Sequence, residues 1–299
     1  MEQYPIFIQP CDHGEKAVSA SNQTPLCAFT VDVEDWYQAN IDFDAPITER
    51  VVRNTERVLA VLDDYQVKAT FFVQGRVAET FPQLLQTLLA EGHEIQSHGY
   101  SHRPLYKMGR QALQTELEWG RKTIEDACGV QVTAFRAPDF SILNENLWAF
   151  EVLVENGFEI DSSIFPMRTH RYGIANWEVM PHHLLLANGA SILEVPVAVW
   201  TMGKFRFPIA GGGYFRLIPS AIIERILNDV TTSSRPAIIY CHPYEFSTGE
   251  LDDYRHQAGL SFRFMQGIGR RSFVTRIRNL LTRLPFGRFD QVLERLELI

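Results

Sequence analysis

Residues 26–36 read LCAFTVDVEDW, an apolar run that ends in three carboxylates. The β-branched and aromatic side chains of Leu26–Val31 predict a β-strand. Asp32 lies at the end of this strand, and Glu34 and Asp35 follow it. Acidic residues after a strand often belong to a solvated turn, so a chemical role needs support from the rest of the chain.

Strand-like and helical patterns alternate from this run to residue 242. Strands are predicted at 26–31, 68–73, 93–98, 132–136, 158–161, 192–199 and 237–242. Helices are predicted at 47–65, 81–90, 111–127, 147–155 and 219–230. Such alternation implies parallel strands joined by crossover helices, so the expected fold class is α/β. A chain of 299 residues is long enough for a single barrel of strands and helices.

A second motif, His98-Gly99-Tyr100-Ser101-His102, places two imidazoles four residues apart. On a helical turn such a pair lies on one side and can bind one metal ion. The histidine content gives ~0.27 such pairs by chance, so the spacing alone is weak support. With one carboxylate, however, the pair supplies three ligands and leaves a position for water, as in hydrolytic metal sites.

Useful polar side chains recur at the C-terminal ends of five different predicted strands. They are Asp32, His98, Arg136, Asp161 and His242. In a closed α/β barrel these strand ends meet on one face, where active sites form. The sequence therefore predicts one metal-dependent hydrolytic site that contains all five side chains.

With these residues, the chain resembles the polysaccharide deacetylase family, whose members share the NodB homology domain. The five family motifs have counterparts in the same order: Thr30-Val31-Asp32 followed by Glu34 or Asp35, His98 with His102, Arg136-Ala137-Pro138, Asp161-Ser162-Ser163, and Tyr240-Cys241-His242. The resemblance implies a distorted (β/α) barrel. One departure is Val33, which separates two acidic positions that are adjacent in the family.

The segments DVEDW at 32–36, AGGGYFR at 210–216 and HPYEF at 242–246 resemble a particular branch of that family. Its members are deacetylases found with bacterial exopolysaccharide gene clusters, and they carry a C-terminal extension. The implied activity is removal of N-acetyl groups from amino sugars of a polysaccharide or a lipid-linked oligosaccharide.

The resemblance also implies roles for individual residues. The metal-ligand candidates are Glu34, Asp35, His98 and His102, with Glu34 preferred over Asp35 and zinc the expected ion. Asp32 would take a proton from water, and His242 would protonate the departing amine. Arg136 would orient Asp32, and Asp161 would raise the pKa of His242.

Substrate contacts are expected from aromatic and neighbouring residues around the site. The candidates are Trp36, Tyr100, Pro138 and Tyr214. A backbone N–H near Tyr100 would stabilise the oxyanion of the reacting amide.

Composition restricts the partners and the compartment. The formal net charge of −8 argues against general nucleic-acid binding. Four widely spaced cysteines match neither a disulfide framework nor a CxxC metal site, which is compatible with the cytoplasm. Neither a secretory signal nor an apolar run long enough to span a membrane is evident.

Three segments are expected: a loosely ordered leader at 1–25, the barrel at 26–250 and a basic helical extension at 251–299. Ser261–Arg288 contains seven arginines and no acidic residue. This extension would either touch an anionic surface, such as the inner membrane face, or pack as a basic helix on an acidic body.

Two other functions are compatible with the sequence. A metal-independent hydrolase of small amides, similar to the relatives that act on allantoin, would need a closed pocket and little or no metal. A non-catalytic carbohydrate-binding relative would keep the fold. The retained set of Asp32, His98, His102, Arg136 and His242 argues against the binding protein.

Overall fold

The computed structural model describes residues 5–11, 26–252, 254, 256, 259, 264 and 266–299. Within these residues the strands are β1 Phe7–Pro10, β2 Cys27–Val33, β3 Thr70–Val73, β4 Glu94–Ser97, β5 Ala134–Phe135, β6 Ile160–Asp161, β7 His182–Leu185, β8 Ser191–Glu194, β9 Val199–Met202, β10 Phe205–Pro208, β11 Ala237–Cys241 and β12 Phe286–Gly287. The α-helices are α1 Trp36–Asn40, α2 Arg50–Asp64, α3 Gly75–Thr80, α4 Pro82–Ala90, α5 Arg110–Cys128, α6 Ala149–Glu155, α7 Gly212–Leu217, α8 Ser220–Thr232, α9 Arg270–Arg283 and α10 Phe289–Arg295.

Parallel strands form the centre of the fold, in the order β8-β6-β5-β4-β3-β2-β11. β7 and β1 extend the sheet antiparallel beyond β8. The ladder of the described strands does not close on itself, but the N–H of Ala198, beyond β8, donates to the Ile238 carbonyl of β11 at 2.9 Å. This bond connects the two sides of the curved sheet. The expected α/β class with a distorted (β/α) barrel of the NodB type is confirmed.

Apolar side chains place the core between this sheet and the helices around it. β2, β3 and β11 are buried along their whole length, as expected for strands covered on both faces. α5 buries one face, including Leu113 and Leu117, and ends at Gly129. The φ of Gly129 is 74°, in the left-handed region that closes many helices.

The stretch expected to be a loosely ordered leader contains β1. β1 pairs antiparallel with β7 at the edge of the sheet, so the expectation is wrong for residues 7–10. The strand has four residues and ends in Pro10, and its partner lies far along the chain, so local pattern gives little signal. Residues 12–25 of the expected leader lie outside the described residues.

The C-terminal segment packs on the barrel and contributes to its sheet. β12 pairs with β2, and α9 buries Phe273, Ile277 and Leu280. No helix in the described part of the chain is long and apolar enough to cross a membrane.

Arginines of the basic segment Ser261–Arg288 contact the body of the protein. Arg278 pairs with Asp64 at 3.0 Å, and Arg283 pairs with Glu224 at 2.8 Å. These contacts are the ones expected of a basic helix that packs on an acidic surface. Residues 261–263 and 265 of the segment lie outside the described residues.

Candidate metal centre

The C-terminal ends of β2, β4 and β11 open into one cavity. Asp32, Glu34, His98, His102 and His242 all line it. Asp32 and Glu34 are two residues apart, a spacing that places both side chains on the same side of an extended chain. Of the five side chains expected to meet here, Asp32, His98 and His242 line the cavity, whereas Arg136 and Asp161 do not.

Glu34, His98 and His102 form a buried cluster whose candidate ligand atoms lie within 4.8 Å of one another. Oε2 of Glu34 lies 3.5 Å from Nε2 of His98 and is in close contact with Nε2 of His102. Burial opposes ionisation of Glu34, but the charges of His102 and His242 hold its pKa well below its usual range.

The histidine pair lies on a loop after β4, so the expectation of a helical turn is wrong. Gly99 has a φ of 72°, and His102 has a φ of 64°. The carboxylate of Glu116 accepts the backbone N–H groups of Tyr100 at 2.8 Å and Ser101 at 2.6 Å. This buried carboxylate on α5 therefore holds the loop in its unusual path, and a left-handed conformation at a non-glycine residue is typical of functional sites.

Asp35 is outside the cluster, which corrects its candidacy as a ligand. Its Oδ1 accepts the N–H of Tyr37 at 3.1 Å and so caps α1. Its Oδ2 accepts the Thr48 N–H at 3.0 Å and the Thr48 hydroxyl at 2.5 Å. An aspartate just before a helix is a common N-cap, so the sequence contained a signal for this alternative role.

The cluster fits a divalent cation. Nδ1 of His98 lies 2.9 Å from the Arg136 carbonyl oxygen, which can only accept a hydrogen bond. Nδ1 therefore donates this bond, which leaves Nε2, on the Glu34 side of the ring, as the atom that could bind a metal. Two imidazoles and one carboxylate are a ligand set that zinc hydrolases use.

Asp32 and Arg136 form a buried ion pair beside the cluster. Nη1 of Arg136 donates to Oδ1 of Asp32 at 2.8 Å and to the Thr30 hydroxyl at 2.6 Å. The guanidinium also lies 4.1 Å from the centre of the Phe72 ring. These contacts fix the Asp32 carboxylate, as expected for a residue that orients it.

His242 lies across the cavity from the histidine pair. Its Nδ1 is 3.3 Å from Oε2 of Glu245, and its Nε2 is 3.9 Å from Oε1 of Glu34. Burial opposes protonation, but the charge of Glu34 and the hydrogen bond and charge of Glu245 raise the pKa of His242 to about 9. A side chain at Gly212 would collide with the Glu245 carboxylate, which explains one glycine of the AGGGYFR segment.

Asp161 does not act on His242 in the way expected. Its carboxylate accepts the N–H and the hydroxyl of Ser163, each at 2.7 Å, and Ser163 in turn accepts the N–H of Ala137 at 2.8 Å. Asp161 thus supports the backbone next to Arg136. Burial raises its pKa, and the neighbouring Glu194 carboxyl, also buried, has a raised pKa for the same reason.

Of the expected substrate contacts, Trp36 and Pro138 are buried. Trp36 is 1% exposed and packs with Tyr244 and Leu251 behind the cavity. Pro138 lies against Gly99, where it supports the histidine loop. Neither side chain lines the cavity.

Tyr100 and Tyr214 also differ from expectation. The N–H of Tyr100 is donated to Glu116, so it is not free to stabilise an oxyanion, and its hydroxyl donates to Glu79 at 2.8 Å. Tyr214 interacts with Tyr172 through its hydroxyl, and burial raises the pKa of Tyr214. Tyr172 lines the cavity, so Tyr214 contacts the site only indirectly, through Tyr172.

Several side chains that line the cavity were not predicted as site residues from the sequence. They are Asp139, Arg171, Tyr172, Tyr240, Tyr244 and Glu245. Tyr244 donates to Oε1 of Glu34 at 3.0 Å. Tyr240 and Tyr244 lie two residues before and two residues after His242. Alternate residues of an extended chain share a face, so their spacing could have predicted that they line the cavity with His242.

Family comparisons cover most of the chain in two parts. Residues 38–158 match the polysaccharide deacetylase family, and residues 162–294 match a domain of unknown function (DUF3473). The histidine pair lies in the first part and His242 in the second, whereas Asp32 and Glu34 precede both.

Curated relatives align with a shorter stretch. A chitooligosaccharide deacetylase of Sinorhizobium fredii is 35% identical over 100 residues, which are 33% of this chain and 44% of that protein. A peptidoglycan-N-acetylglucosamine deacetylase of Bacillus cereus is 34% identical over 98 residues, which are 32% of this chain and 36% of that protein. The chain spans less than half the length of each relative.

Two solved structures share the fold over nearly the whole chain. A Mycobacterium smegmatis protein, described as a candidate polysaccharide deacetylase, has a TM-score of 0.60 and 22% identity over 97% of this chain and 95% of that one. A Bacillus anthracis pseudoenzyme of the CE4 family has a TM-score of 0.50 and 14% identity, over 92% of this chain and 66% of that one. At these identities the likeness shows the fold alone. Residues 38–158 of this chain therefore match the polysaccharide deacetylase family, and the chain shares its fold with these two solved structures.

Proposed function

We propose that the protein is a metal-dependent hydrolase that removes N-acetyl groups from amino sugars of a polysaccharide or lipid-linked oligosaccharide. The observation that carries the proposal is the cluster of Glu34, His98 and His102 in one cavity with Asp32 and His242. The deacetylase names of the relatives support the same substrate class.

Glu34, His98 and His102 would hold the cation, and zinc is the ion we expect from two imidazoles and a carboxylate. When bound, it would lower the pKa of a water molecule and polarise the amide carbonyl. Asp32 would accept the proton that the attacking water loses. Its ion pair with Arg136 keeps the accepting carboxylate in one orientation.

His242 would deliver a proton to the amide nitrogen as the carbon–nitrogen bond breaks. An amine leaves far more readily than an amide anion, so this step needs a protonated imidazole. The hydrogen bond and the charge of Glu245 raise the pKa of His242, which favours the protonated ring, and Glu245 holds the ring through Nδ1. The products are acetate and a sugar with a free amine.

The first test is metal content together with acetate release from N-acetylglucosamine oligomers. We expect stoichiometric zinc and acetate release from the wild type, and loss of both in a His98→Ala/His102→Ala variant. His183→Ala is the matched control, because His183 lies on β7 away from the cavity.

Bound metal without acetate from any oligomer would contradict the proposed substrate. Absence of metal and of acetate release would contradict the proposal as a whole and favour a small-amide hydrolase or a carbohydrate-binding protein. Conversion of allantoin to allantoate, by hydrolysis of a ring amide bond, would identify the former.

A further inference from the structure

A second cavity adjoins the first one on the side of the loop between β6 and β7. We call it the basic groove, and the side chains that matter here are Asn144, Glu145, Arg168, His170, Arg171 and Tyr172. Arg171 and Tyr172 line both cavities. A chain of sugars whose reacting unit lies in the first cavity would therefore place its next unit in the basic groove.

Internal hydrogen bonds fix the loop that carries the basic side chains. The N–H of Ile174 donates to the Phe165 carbonyl at 3.0 Å and closes the loop. Inside it, Thr169 and Tyr172 are joined by a backbone bond of 2.8 Å. Gly173, with a φ of 94°, lies so close to the Met167 carbonyl that a side chain would collide with it. The basic groups are thus presented on a defined backbone.

The charges of the groove are not balanced. Arg171 pairs with Asp139 at 3.0 Å. Arg168 and His170 make no ion pair or hydrogen bond with any residue the structure describes, and Glu145 is the acidic group of the groove. The guanidinium of Arg168 has no described acidic partner and would attract an anion, and the His170 imidazole lies two residues away on the same loop.

We propose that the basic groove binds an anionic group, a carboxylate or a phosphate, on the saccharide unit next to the one that is deacetylated. The proposal rests on the proposed function for the position of the substrate. Arg168 and His170 would contact the anion, and Arg171 would separate the two units. The enzyme would then select acidic glycans over neutral ones.

Calorimetric binding at about pH 6, where imidazoles carry charge, tests this directly. The ligands are fully N-acetylated chitotetraose, which is neutral, a hyaluronan tetrasaccharide, which carries carboxylates, and the 1-phosphate of the same N-acetylated chitotetraose. We expect the wild type to bind one or both acidic ligands about tenfold more tightly than chitotetraose, with the preference falling as salt is added. Which acidic ligand is preferred identifies the source of the anion.

An Arg168→Gln/His170→Gln variant should lose that preference, whereas Lys204→Gln, which removes an exposed cation from the turn between β9 and β10, should retain it. Equal binding of all three ligands by the wild type, or a preference that survives in the double variant, would overturn the inference. Because the preference is a difference in binding and does not require turnover, absence of acetate release would count against the proposed function alone.

Discussion

Arg136 is fully buried, and the charge of Asp32 lies 2.8 Å from its guanidinium. We predict that Arg136→Met destabilises the protein by roughly 3 kcal/mol, because it leaves a buried carboxylate without its partner. Urea unfolding followed by circular dichroism measures the change. Arg103→Met is the matched control, since Arg103 pairs with Asp44 at the surface and should contribute less than about 1 kcal/mol.

A double-mutant cycle separates the lost pairing from the lost side chain. Combining Arg136→Met with Asp32→Asn removes both charges, so the double variant should be more stable than the sum of the single effects predicts. Additive effects would show that the ion pair is not what Arg136 contributes to stability.

Glu245 can be tested through the pH dependence of turnover. A general acid works only while protonated, so activity should fall as pH rises through the raised pKa of His242. Glu245 raises that pKa, and Glu245→Gln should therefore move the falling limb of kcat to lower pH by about one unit. A bound cation would offset the charge of Glu34, so Glu245 would be the main residue that raises the pKa of His242.

Glu56→Gln, at an exposed position on α2, should leave the pH profile unchanged. If the falling limb of Glu245→Gln coincides with that of the wild type, His242 is not the group that sets it.

At the scale of secondary-structure elements, a short 3-10 helix, Pro243–Phe246, connects the C-terminal segment to the metal centre. Arg270, at the start of α9, donates to the Tyr244 carbonyl and to the Ser247 carbonyl. The Tyr244 hydroxyl donates to Oε1 of Glu34 at 3.0 Å. The orientation of one candidate ligand thus depends on a helix from the other end of the chain.

We predict that Tyr244→Phe weakens zinc binding by about tenfold, because residues that hold metal ligands in place have effects of that size. Competition with a chromophoric chelator measures the affinity. Tyr106→Phe removes a hydroxyl from an exposed ring and should not change it. Unaltered affinity in Tyr244→Phe would mean that Glu34 is held by other contacts.

The same elements show what sequence can predict. The ends of β2, β4 and β11 meet because parallel strands share a direction, so the convergence of Asp32, His98 and His242 followed from the alternation of strands and helices. The hydrogen-bond partner of His242 could not be predicted in this way, because Glu245 lies on a 3-10 turn and not on a strand. Asp161 lies at a strand end as predicted, but its carboxylate forms hydrogen bonds with Ser163 and Glu194, away from the cavity.

At the scale of the whole molecule, the C-terminal segment completes the sheet that carries the site. The N–H of Phe289, which opens α10, donates to the Thr70 hydroxyl of β3 at 2.7 Å. Glu94 of β4 accepts the N–H of Asp290 at 3.2 Å and the side-chain amide of Gln96 at 2.7 Å. Attachment of α10 therefore depends on the Glu94 carboxyl group, which lies close to a second acidic side chain, that of Asp290.

Burial and the nearby charge of Asp290 raise the pKa of Glu94 from 4.5 to about 7. The folded protein then binds a proton that the unfolded chain releases between these values, so this group stabilises the fold fully below pH 4.5 and its contribution is lost as pH rises through 7. Glu94→Gln keeps a neutral side chain at every pH. Between pH 5 and pH 8 the unfolding free energy of the variant should therefore rise by roughly 2.5 kcal/mol relative to that of the wild type.

Urea unfolding at both pH values measures this gain, and Glu118→Gln, at an exposed position on α5, is the control that should show no such difference. Hydrogen exchange of α10 should respond in the same direction, because the Asp290 N–H is bound directly by the titrating group. An equal stability difference between variant and wild type at pH 5 and pH 8 would exclude Glu94 as the proton-binding group. The C-terminal helix would then have to be attached mainly by its apolar contacts, since Phe289, Val292 and Leu293 are buried and carry no titratable group.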